Sequence, residues 1–159
     1  MKKHASSILT ILAALFLPRA APAAPDTVII RADIIALPQT AADSLIGGAD
    51  IKDRPAMVLE QLRQLIAKHQ AISIANPSFQ ETLGAHGSST GLVYLSSQTK
   101  GPHLKAFNLL AEIKYAGQEL HISSPATLGE VIFAGTFEPG KESPAAERGW
   151  TCLVFLRVQ

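Results

Sequence analysis

Hydrophobic positions change their spacing along this chain, and each change marks a different kind of element. Residues 8–17 form an apolar run of ten behind Lys2 and Lys3, closed by Pro18 and Arg19. A spanning helix needs about 20 apolar residues, so the run is too short to cross a bilayer. Small residues follow, with Ala21 and Ala23 at small-x-small spacing, which is the three-part build of an export signal. The pattern predicts a leader over residues 1–23, cut after Ala23, and a single domain over 24–159 with no transmembrane segment once the leader is removed.

Residues 27–37 (TVIIRADIIAL) are rich in β-branched side chains and apolar on both faces, which predicts a largely buried central strand stopped by Pro38. Thr40 and Asp43 have capping-box spacing and Gly47-Gly48 supplies a stop, so a short helix is expected over 41–46. A longer helix follows, with Asp53 as N-cap and Pro55 in the first turn. Val58, Leu59, Leu62, Leu65 and Ile66 lie on one face and Glu60, Gln61, Arg63, Gln64 and Lys68 on the other. Beyond His69 the texture becomes short β-prone runs between turn residues, the pattern of antiparallel hairpins. Strands are expected over 71–75, 79–83, 92–96, 107–115, 119–123, 130–137 and 151–158. Turns are expected at 76–78, 84–89, 101–102, 116–118 and 124–125, with a polar loop over 138–149. The fold class is α+β: an antiparallel or mixed twisted sheet of about seven or eight strands, with one amphipathic helix and one short helix packed on it.

Composition narrows the function. Without Lys2, Lys3 and Arg19 the remaining 11 basic residues face 13 acidic ones, a formal charge of −2, which gives nucleic acid no basic surface. The single cysteine, Cys152, has no disulfide partner and lies in an apolar run, as a buried hydrophobe would. His69, His86, His103 and His121 show no spacing typical of metal ligands, so no metal and no cofactor is expected. His69 suits the negative end of the long helix, and His121 reads as a cross-strand or surface residue. No G-x-S-x-G motif, reactive-cysteine signature or phosphate loop is present, and no catalytic residue is assigned. The contact or ligand candidates are loop residues: His86, Ser88 and Ser89 in one loop, and Glu138, Lys141 and Arg148 with the adjoining Trp150 in another.

Four stretches carry a family resemblance: 28–37 (VIIRADIIAL), 71–79 (AISIANPSF), 129–135 (GEVIFAG) and 151–158 (TCLVFLRV). In this order they resemble the β-domain of secretins, the outer-membrane ring proteins of secretion and type IV pilus systems. Ala36 and Leu37 stand where that family's opening strand ends near a glutamate. The resemblance implies a reduced, stand-alone relative of the secretin core, non-enzymatic and working in the periplasm or at the envelope. It implies a protein partner, or self-association through a sheet edge, in a secretion or pilus assembly. Two other classes stay open on the residues themselves: a periplasmic module binding a small ligand or cell-wall polymer through the two loops, and an exported hydrolase using His86 or His121.

Overall fold

The computed structural model describes residues 27–82, 86–89, 93–103 and 106–159. The expected leader over 1–23, positions 83 and 92 of two expected strands, and positions 84–85 of the expected 84–89 turn lie outside the described residues.

The fold is α+β, but its strands form two antiparallel sheets rather than one. In chain order the elements are β1 (Thr27–Pro38), α1 (Gln39–Gly47), α2 (Asp50–Asp53), α3 (Pro55–Ala67), β2 (Ile72–Ala75), β3 (Ser78–Thr82), β4 (His86–Ser89), β5 (Val93–His103), β6 (Ala106–Tyr115), β7 (Gln118–Ala126), β8 (Val131–Phe137), α4 (Pro144–Glu147) and β9 (Trp150–Val158). The first sheet runs β2-β1-β9-β8, with β3 also paired to β1. The second runs β4-β5-β6-β7.

Two sheets form because two sets of alternating residues each need cover. On β6, Phe107, Leu109, Ala111, Ile113 and Tyr115 are buried while Asn108 is exposed, the signature of a sheet with one wet face. That apolar face packs on Val28, Ile30, Ala32, Ile34 and Ala36 of β1 and on Cys152, Val154, Leu156 and Val158 of β9. The opposite face of the first sheet supplies Ile35, Leu37, Leu153 and Phe155, covered by Ala42, Ile51, Val58, Leu59 and Leu62 of the helices. The result is three layers, helices on sheet on sheet, with β1 and β9 in the middle.

Several boundaries differ from the sequence expectation for local reasons. The long helix begins at Pro55 rather than from an Asp53 cap: a residue before proline is pushed out of the α region, and Arg54 sits at φ −136°, ψ 53°. Asp53 instead ends the short α2. The Thr40–Asp43 capping box does not form. α1 starts at Gln39, whose Nε2 donates to Asp43 Oδ1 at 2.8 Å. The expected turn at 101–102 lies inside β5, and positions 86–89 of the expected 84–89 turn are β4. Within the 138–149 loop, Ser143 accepts from the Ala145 N–H and starts α4.

β6 and β7 are joined by Ala116 (φ 52°) and Gly117 (φ 78°), the two consecutive positive-φ residues of a tight hairpin. On β8 the register shifts between Phe133 and Gly135. Gly135 has φ 139°, and a Cβ there would meet Leu120 of β7 at 3.2 Å, so glycine lets the two sheets approach at this corner.

The apolar cluster under the helices does not run the whole length of the first sheet. The helices cover β8 and the paired ends of β1 and β9 around Ile35, Leu37 and Leu153. Toward the start of β1 the same face carries Ile29, 40% exposed, half-buried Arg31, and Asp33, 8% exposed.

Candidate functional site

The first sheet ends at β8, which has no strand on its far side among the described residues. Val158 N–H donates to the Glu130 carbonyl at 2.9 Å, turning that group toward β9. Backbone groups alternate along a strand, so those of Val131 and Phe133 point out from the sheet edge. Beside this edge runs a groove of about 640 Å³, lined by Asp53, Pro55 and Met57 from the helices, Ser124 of β7, and Ile132 and Phe133. Phe133 is fixed by a tilted ring contact with Phe155, centroids 5.4 Å apart.

The groove exists because β7 and β8 splay. At one end they are clasped: Gln118 Nε2 donates to the Glu138 carbonyl and Gln118 Oε1 accepts from the Glu138 N–H, both at 2.9 Å. At the other end Glu130 Oε2 accepts from the Thr127 N–H at 2.8 Å and from its hydroxyl at 3.2 Å, holding the turn that carries the chain from one sheet to the other.

A second hollow, about 770 Å³, lies at the clasped end between Ile72 and Ile74 of β2, Tyr115, Gln118 and the start of the 138–149 loop. Glu138 and Lys141 line it, and the Tyr115 hydroxyl accepts from the Gly140 N–H at 3.2 Å. Arg148 and Trp150 do not join them. The Arg148 guanidinium lies 5.1 Å over the Trp150 ring, which is partly buried against the core between the sheets. His86, Ser88 and Ser89 are backbone positions on β4, at the opposite edge of their sheet from β7 and Gln118. The two sets of candidate loop residues thus lie on different elements, β4 of the second sheet and the 138–149 loop with the start of β9.

Sequence spacing missed a cluster on the outward face of β6 and β7. Register pairs Glu112 with His121 and Lys114 with Glu119. Lys114 Nζ lies 2.8 Å from Glu112 and 2.9 Å from Glu119, and His121 Nε2 lies 3.4 Å from Glu119. His121, expected as a cross-strand or surface residue, is exposed and stands across from Glu112. The Ala116-Gly117 turn was the available signal, since a two-residue hairpin fixes which residues face one another. Hydrogen bonds to Glu112 and then Glu119 hold Lys114 well above its ordinary pKa, and the bond to Lys114 holds Glu119 below 4.5. Ligand atoms of Glu112, Glu119 and His121 lie within 4.8 Å of one another, but the Lys114 ammonium already sits against both carboxylates.

Cys152 is fully buried between the sheets, and desolvation pushes its thiol up to about 12. Burial thus favours the neutral thiol over the thiolate, the form of a structural cysteine. Among the described residues no helix is long and apolar enough to cross a membrane. Comparison of the chain with family models, with curated proteins and with solved structures finds no match.

Proposed function

We propose that this chain is a non-enzymatic exported envelope protein that works by contact, taking up an extended segment of another protein along the free edge of β8. The observation that supports this reading is the groove beside that edge. Backbone donors and acceptors of Val131 and Phe133 offer the hydrogen bonds of strand addition, and Met57, Pro55, Ile132 and Phe133 offer apolar contact for alternate side chains. A secretin-like assembly is the setting that the sequence resemblance suggests.

The test places a photo-crosslinking residue at Ser124 in the groove and, as a control, at exposed Ser44 on α1. Strand addition predicts a discrete adduct from Ser124 and none from Ser44, and its loss when Met57→Asp puts a charge in the groove. A purely monomeric protein with no Ser124 adduct rules the reading out.

The hollow beside Gly140 favours a second reading, a small-ligand module. Its size is in the range of ligand pockets, and it combines apolar Ile72 and Ile74 with Glu138 and Lys141. Thermal stabilisation by a wall fragment, abolished by Lys141→Ala, would select that reading over strand addition.

A further inference from the structure

We infer that Arg31 is the centre of an oxyanion-binding site on the helix-side face of the first sheet, toward the start of β1, independent of what the β8 edge receives. Register lines up Val131, Arg157, Arg31 and Ser78 in one row across β8, β9, β1 and β3. Two guanidinium side chains thus stand directly opposite each other, an arrangement that costs stability unless anions separate them. One anion is present. Asp33 accepts from Arg157 Nε at 2.5 Å and from its Nη2 at 3.1 Å, which commits the Arg157 fork.

Arg31 has no such partner. Its Nε is buried and makes no hydrogen bond, and no ion pair reaches its guanidinium among the described residues. A guanidinium stays charged at any physiological pH, so the buried Nε of half-buried Arg31 remains a donor. Buried donors without partners are rare in native proteins, and a planar fork of donors matches a carboxylate or a phosphate. Exposed Ser78 stands opposite Arg31 on the same face and adds a hydroxyl, and exposed Ile29 lies on that face as well. Two arginines against one aspartate leave a single positive charge, which suits one oxyanionic group.

The test uses the mature chain at constant ionic strength, with inorganic phosphate in one arm and a short glutamate-rich peptide in the other. Thermal denaturation and calorimetric titration are read for the wild type, Arg31→Met, Arg31→Lys and, as a control away from the site, Arg54→Met. The expected result is saturable stabilisation of the wild type and of Arg54→Met. Arg31→Met should lose about tenfold or more in affinity, the size of a charge-assisted contact. Arg31→Lys should keep part of the response, since a point charge lacks the fork. A response to phosphate alone assigns a free oxyanion, and a response to the peptide at lower concentration assigns a carboxylate carried on a protein segment. The proposal is overturned if neither probe shifts the wild-type melting temperature, or if the Arg31 variants respond like the wild type. Should Arg31→Met fail to fold, the wild-type titrations and Arg31→Lys decide the question alone.

Discussion

The helix-side face of β1 and β9 has two ends built from the same alternation, and they behave in opposite ways. At one end Ile35, Leu37, Leu153 and Phe155 lie under the helices and are fully or almost fully buried. At the other end Ile29, Arg31, Asp33 and Arg157 occupy the same side of the same strands, with Ile29 exposed, Arg31 half-buried, and Asp33 buried and paired to Arg157. Strand pairing continues unchanged through both, so the backbone ladder does not distinguish them. What differs is the side chains: apolar in the cluster under the helices, ionic toward the start of β1. A paired strand end bearing arginines is suited to recognition, whereas the apolar end serves stability.

The contrast can be broken from either end. Phe155→Ala removes a fully buried ring from under the helices and should cost about 3–5 kcal/mol in urea denaturation. Asp33→Asn leaves Arg157 beside Arg31 with no carboxylate between them, and a loss of about 2–3 kcal/mol is expected. A cost as large as that of Phe155→Ala would mean that the charged end is as much a part of the core as the covered one. Arg31→Met, measured without added anions, should be neutral or stabilise by up to about 1 kcal/mol, because a half-buried arginine whose Nε lacks a partner is replaced by an apolar chain of similar length. A clear loss there would show that Arg31 serves stability and would remove the contrast.

The smallest effect belongs to the exposed cluster on β6 and β7. Glu119 titrates below its ordinary 4.5, so its contribution is present above that pH and is lost as pH falls through the lowered value. The stability difference between the wild type and Glu119→Gln should therefore vanish on acidification from pH 7 to below 4. Added salt should shrink it at pH 7.

The α+β class, the central first strand and the apolar stripe of α3 were all legible in sequence, because periodicity records which face of an element is buried. The division into two sheets was not. Both sheets read as successive hairpins, and only long-range pairing, such as β1 with β9, decides which strands share a sheet. The charged cluster was half legible: Ala116-Gly117 announces the hairpin, while spacing along one strand does not place Glu112 against His121. The β8 edge was beyond reach, since an edge is defined by a strand's missing neighbour. Arg31 looked like an ordinary charge inside a β-prone run, and its isolation depends on Asp33 having already chosen Arg157.

Cys152, pressed between the two sheets, gives the molecule an internal clock. It is the sole cysteine in the chain, so an alkylating reagent has one target, reachable only when the layers part. The pace of labelling would count how often the sandwich opens, with no engineered reporter needed.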